Sequence, residues 1–164
     1  MTALLTLPFS NCACGNESNS EKGLIVLHRY QFNPELYNPD VVINILIKAL
    51  TAAPSPDFNL CVSLLDERPI NAPLDEPDPL PILLPVLRGL HDLLLRCRFP
   101  AFWDIYRSDE LETLRDNYTV EVTGFANAVR EVVIRAVKAA FTRISTVRLG
   151  SYLALSGASG LYLQ

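Results

Sequence analysis

This chain uses proline to mark where its apolar segments stop and restart. In "YQFNPELYNPD", residues 30–40, Asn33-Pro34 closes one segment and Asn38-Pro39-Asp40 opens the next. Asparagine at a helix cap accepts from free backbone N–H groups, and proline fits the first turn, where its missing N–H costs nothing. An acid just inside the start meets the positive end of the helix dipole. Ser55-Pro56-Asp57 repeats the same grammar. Punctuation of this kind restricts the chain to helices of a few turns. A helix with one apolar face needs a neighbour to cover it, so the chain must fold as stacked helices.

The apolar spacing fills in those helices. Ser20-Glu21 opens a pattern through Leu24 and Leu27 that ends at Phe32. A second helix is expected from Pro39 to Ala53; Val41, Val42, Ile45, Leu46 and Leu50 form a stripe that Ile43 and Ile47 widen. So many β-branched residues would also suit a strand, but the cap and the length favour a helix buried on more than one side. A third starts at Ser55-Pro56-Asp57 and carries Phe58, Leu60, Cys61, Leu64 and Leu65. The acidic, proline-rich stretch 67–81, "ERPINAPLDEPDPLP", breaks the rhythm and reads as an extended loop. A fourth helix is expected from Leu83 to Cys97, and a short fifth from Phe99-Pro100 with Phe102, Trp103 and Tyr106. A sixth, capped by Ser108 and the acids after it, runs to Asn117. The clearest pattern is "TGFANAVREVVIRAVKAAFTRI", residues 123–144. Thr123 is placed to cap it, and Phe125, Val129, Val132, Val133, Ala136, Val137, Ala140, Phe141 and Ile144 share one apolar face. Glu131, Arg135 and Lys138 lie opposite. A last helical pattern runs from Val147 to Leu155. The expected fold class is therefore all-α. A disordered lead-in occupies residues 1–20, a helical-repeat domain 21–157, and a short tail 158–164.

Composition narrows the class. With 49% hydrophobic and 20% charged residues the balance is globular. A net charge of −4 gives no global pull toward nucleic acid or anionic lipid. The apolar start "MTALLTLPF" has no basic residue before it, which speaks against a secretory signal. The later apolar stretch 79–95 contains Pro81, Pro85, Arg88, His91 and Asp92, a poor membrane span. A soluble, cytoplasmic protein without a membrane partner is expected. Cys12 and Cys14 have no matching ligand pair for zinc, and Cys61 and Cys97 sit in apolar helical patterns as buried small hydrophobes. No metal, cofactor or disulfide is expected.

Catalysis needs convergent polar groups, and the sequence offers few. His28 and the His91-Asp92 pair lack a placed third residue, so both histidines read as packing residues. Asp104, Asp109, Glu110, Glu112 and Asp116 lie around helix starts, where acids complement the dipole. Glycine-rich phosphate loops and the nucleophile-elbow motif are absent from the sequence. The chain is expected to have no catalytic residue and not to be an enzyme. The candidate partner-binding residues are Phe102, Trp103 and Tyr106, and the basic pair Arg135 and Lys138. Core packing is the favoured reading of the aromatic cluster, with a peptide groove as the alternative. Arg130, Arg135, Lys138, Arg143 and Arg148 form either a solvated face or a contact for an acidic partner or RNA phosphate. No aromatic residues interleave them, which does not support stacking on bases.

Four separate stretches carry a family resemblance. "YQFNP" (30–34), "ILIKALTAAPSPDFNLCVSLL" (45–65), "CRFPAFW" (97–103) and "TGFANAVREVVIRAV" (123–137) resemble subunit k of eukaryotic translation initiation factor three, in matching order and spacing. The likeness covers residues 21–157. It implies a PCI-type fold, in which a HEAT-like helical repeat layer precedes a winged helix. It also implies a non-catalytic scaffold subunit supporting assembly of the initiation complex. The partners implied are other initiation factor subunits, above all the l subunit, and the small ribosomal subunit, mostly indirectly, with no sequence-specific nucleic-acid binding. The chain departs from the pattern before Ser20, in the 67–81 loop, which reads as an insertion, and at its end. There "RLGSYLALSG" resembles only the entrance to the winged helix, so that module is expected to be largely missing. The alternatives are a generic helical-repeat adaptor and a subunit of another PCI-containing complex, the proteasome lid or the signalosome; the stretch from Tyr30 to Leu65 favours the initiation factor.

Overall fold

The computed structural model of the chain describes residues 16–66, 78–119 and 124–155. Among these the fold is all-α, as expected. Helix α1 spans Asn16–Phe32, α2 Pro39–Thr51, α3 Asp57–Asp66, α4 Leu80–Leu95 and α5 Phe99–Tyr106. A tightly wound stretch follows: a 3-10 turn at Asp109–Leu111, one α-turn (α6) at Glu112–Leu114 and a π-turn at Arg115–Thr119. Helices α7 (Phe125–Ala140) and α8 (Thr146–Leu153) complete the order.

Helix α1 packs on α2 and α3, and α2 packs on α3 and α4, so the first four helices form one layer of helices packed in series. Helix α2 sits at its centre and also meets α7 and the π-turn. Val42, Ile43, Leu46, Ile47 and Leu50 are fully enclosed, which is why the apolar stripe in the sequence runs nearly all round this helix. Gly23 lets α1 approach: a Cβ there would lie 2.9 Å from Ile45 Cγ2. Asn38 caps α2 as its sequence announces, its Oδ1 accepting from the N–H groups of Asp40 and Val41 at 2.9 and 3.2 Å.

Several boundaries differ from the sequence reading. Helix α1 begins at Asn16, within the segment read as a lead-in; Met1–Gly15 and both Cys12 and Cys14 lie outside the described residues. Helix α4 begins at Leu80, three residues before Leu83, because Pro81 fits its first turn and Asp78 Oδ1 accepts from the Leu80 N–H at 2.8 Å. Most of the proline-rich loop, 67–77, falls outside the described residues, as does the tail beyond Leu155. Pro85 stands inside α4 but on its exposed side, where water reaches the Pro81 carbonyl that loses its N–H partner. The Ser108 hydroxyl caps nothing; it donates back to the Ile105 carbonyl at 2.7 Å. Helix α7 stops at Ala140, with Gly124 rather than Thr123 as its cap residue, at φ +85°. Phe141 leaves the helix in an extended conformation and is exposed, so the helical face ends before it, and Ile144 reaches the core from the linker instead.

Cys97 corrects a second expectation. It is exposed, not buried, with φ +55°. Helix α4 ends there in a Schellman motif, with Arg98 N–H donating to the Leu93 carbonyl at 2.9 Å and Cys97 N–H to that of Leu94 at 3.1 Å. The left-handed residue of that motif must face outward, where glycine is the usual occupant. Ala154, at φ +51°, ends α8 in the same way.

Candidate docking surface

The aromatic cluster builds the joint between α5, α7 and α8. Phe102 and Trp103 are buried and Tyr106 is half-buried. Phe102 meets Trp103 edge-on, Trp103 meets Tyr106 likewise, and Tyr106 tilts against Phe125 of α7. Phe99 meets Tyr152 of α8 at 5.6 Å between ring centres. The packing reading of these residues therefore holds within this chain, and neither Phe102 nor Trp103 offers a free face.

Three of these neighbouring side chains also secure the end of α8. The last carbonyls of a helix have no partner within it. Here Trp103 Nε1–H donates to the Tyr152 carbonyl at 2.8 Å, Arg130 Nε–H to that of Leu153 at 3.1 Å, and an Arg107 guanidinium N–H to that of Ala154 at 2.9 Å. Two cations thus stand at the negative end of the helix dipole. The Arg130 guanidinium also lies 5.4 Å from the centre of the Trp103 ring. Arg115 does the same for α5, one guanidinium nitrogen reaching the carbonyls of Tyr106 and Ser108, both at 2.9 Å. Arg107, Arg115 and Arg130 carried no local signal of these roles, because their acceptors lie 7 to 47 positions away.

The other two candidates, Arg135 and Lys138, stand exposed on the outer face of α7. Arg143 and Arg148 are exposed beyond it, and among the described residues none of these four enters an ion pair. Arg130 is drawn off to α8, so the basic residues of the sequence divide into one structural arginine and four outward-facing cations.

The histidines are separate. His28 is exposed, its Nδ1 3.1 Å from Gln31 Oε1. His91 is buried and stacked on Phe58 at 4.4 Å, but its Nε2 has no hydrogen-bond partner. Burial pushes its pKa down from the ordinary value, and the neighbouring Asp92 opposes this in part. Burial, aided by Asp57, raises the Cys61 thiol to about 11, leaving it protonated and inert at neutral pH. Among the described residues no group of three His, Cys, Asp or Glu side chains is placed to hold a metal ion, and no helix is long and apolar enough to cross a membrane.

What this arrangement offers is surface on a helical stack, and sequence comparison places it among known proteins. Residues 36–161 match the model of the CSN8/PSMD8/EIF3K family. The chain belongs to this family. Relatives within reach of direct comparison are named "Eukaryotic translation initiation factor 3 subunit K". That of Mycosarcoma maydis is 38% identical over 82% of this chain and 59% of its own length. That of Cryptococcus neoformans is 40% identical over 79% of this chain and 54% of its own length. A third, from Phaeosphaeria nodorum, is 36% identical. The chain spans a little over half the length of these curated relatives.

Proposed function

We propose that the chain is a non-catalytic scaffold subunit of the eukaryotic translation initiation factor 3 complex, acting in the cytoplasm. It supports assembly of the initiation complex on the small ribosomal subunit through protein–protein contacts. Its partners are other subunits of the factor, especially the l subunit, and it touches the ribosome mostly indirectly. The observation that carries this reading is the 38–40% identity to proteins named as subunit K, over about four-fifths of the chain. The physical character of the fold agrees with it. Short helices packed in series present a broad outer surface. Of the five candidate contact residues, Arg135 and Lys138 are free to meet a partner directly, whereas Phe102, Trp103 and Tyr106 act by holding α5, α7 and α8 together.

The test is affinity purification of the tagged chain from a eukaryotic extract, with bound proteins identified by mass spectrometry. Recovery of initiation factor subunits, the l subunit first among them, is the expected result. Recovery of proteasome-lid or signalosome subunits in their place would reassign the chain to another assembly.

A further inference from the structure

Charge is divided unevenly along this fold. Residues 124–155 hold Arg130, Arg135, Lys138, Arg143 and Arg148 against the single acid Glu131, a net of +4. The whole chain is −4, so everything outside that segment sums to −8. A basic hairpin of two helices is therefore mounted on an acidic body. With Arg130 committed to the Leu153 carbonyl and the Trp103 ring, four cations are left facing out.

Along the chain these four lie on either side of two exposed apolar residues. Arg135 and Lys138, three positions apart, share one face of α7 near its end. Phe141 and Val147, 42% and 79% exposed, flank Arg143 in and beside the linker between the helices, and Arg148 follows in the first turn of α8. Five linker residues keep the end of α7 within about 20 Å of the start of α8. An apolar centre with a charged rim is the anatomy of a protein interface. A groove that follows a nucleic-acid backbone has instead a continuous basic row with aromatic platforms beside it, and Val147 serves neither purpose.

We infer that the α7–α8 hairpin is a docking surface for an acidic amphipathic segment of a partner protein, whose apolar side chains cover Phe141 and Val147 while its carboxylates meet Arg135, Lys138, Arg143 and Arg148. This rests on the scaffold reading for its biological setting, but the surface itself is tested without it. The purified chain is titrated by fluorescence anisotropy against three labelled probes: a helical Glu/Leu peptide, its Leu→Ser counterpart of equal charge, and single-stranded oligouridylate. Binding of the Glu/Leu peptide is expected, weakened by added salt and at least ~10-fold poorer for the Leu→Ser peptide. Arg135→Glu with Lys138→Glu is expected to weaken it ~10-fold or more, and so is Phe141→Ser with Val147→Ser. All four side chains are exposed, and thermal melting confirms that each variant folds. Lys22→Glu with Arg98→Glu changes the net charge equally on the acidic body and is expected to leave binding within about twofold.

Three results would each overturn the inference: no binding of the Glu/Leu peptide, tighter binding of oligouridylate, or equal losses from the two charge reversals. Co-purification separates this from the scaffold reading. If the Arg135→Glu/Lys138→Glu chain recovers initiation factor subunits as well as the unaltered chain does, the hairpin is not the docking surface and the scaffold reading stands. If the unaltered chain recovers none, the scaffold reading falls while the anisotropy result still decides the surface.

Discussion

The two halves of this molecule are held together by different means. Helices α1–α4 are joined mainly by aliphatic side chains around α2, five of whose residues are fully enclosed, with one ring stack, Phe58 on His91, and one side chain reaching a carbonyl, Gln31 to Leu64. Helices α5–α8 are joined by aromatic edges and by side chains reaching backbone carbonyls: Trp103 to Tyr152, Arg130 to Leu153, Arg107 to Ala154, Arg115 to Tyr106. Dispersion and burial tolerate small adjustments of shape, whereas each polar reach depends on one donor meeting one acceptor. The first half should therefore lose stability in proportion to volume removed, and the second should open locally when a single donor is deleted.

Helix α7 tests the boundary, because it packs on both α2 and α8. Val133 is fully buried on its inner face. Val133→Asp places an unpaired carboxylate between the halves and should cost about 4 kcal/mol or unfold the chain, as read by chemical denaturation. Unchanged stability would show that α7 is not the shared core. Trp103→Phe keeps an aromatic side chain but removes the indole N–H and part of the buried ring, so the Tyr152 carbonyl loses its partner and a small cavity opens, at a cost of ~1 kcal/mol or more. Hydrogen exchange should then quicken in α8 and leave α2 protected; equal quickening in both would erase the distinction drawn above.

His91 sharpens the comparison from the aliphatic side. Its folded-state pKa lies below the ordinary value of 6.5, so the unfolded chain binds the proton more readily. The stability associated with the neutral ring is present above about pH 6.5 and is lost as the pH falls toward the lowered folded pKa. Melting temperature should decline across that acid window, and His91→Phe should flatten the decline. A slope unaffected by the substitution would move its origin to other groups. The smallest effect concerns neither half's core. Cys97→Gly relieves a left-handed backbone at the end of α4 and should raise stability by about 1 kcal/mol, or ~2–4 °C in Tm.

What could be seen in the sequence follows the same division. Interactions with a period are visible in one dimension. The broad stripe of α2, the Asn38 cap and the buried face of α7 from Phe125 to Val137 all appeared where the spacing put them. Interactions that depend on where two distant segments meet were not visible. Nothing near Arg130 announces that it turns to α8 instead of to solvent with Arg135. Cys97 looked apolar because it completed a stripe, but the helix had already ended at Leu95. Phe141 was lost for the same reason: periodicity continued in the letters after the helix had stopped. Of the proposed docking surface, Arg135 and Lys138 were legible as a polar face, and the exposure of Phe141 and Val147 was not.

The central place of α2 also bears on the order in which the molecule forms. The Tyr118 hydroxyl donates to Asp40 at the start of α2 across 78 positions of sequence, and α7, which packs on the same helix, lies later still. A chain growing from its N-terminus completes α1–α4 while one flank of α2 remains bare. That flank waits for the closing segment, and contacts made across so long a loop slow the final step. During this interval the partly built chain presents an adhesive aliphatic strip, the kind of surface through which folding intermediates aggregate before they can close.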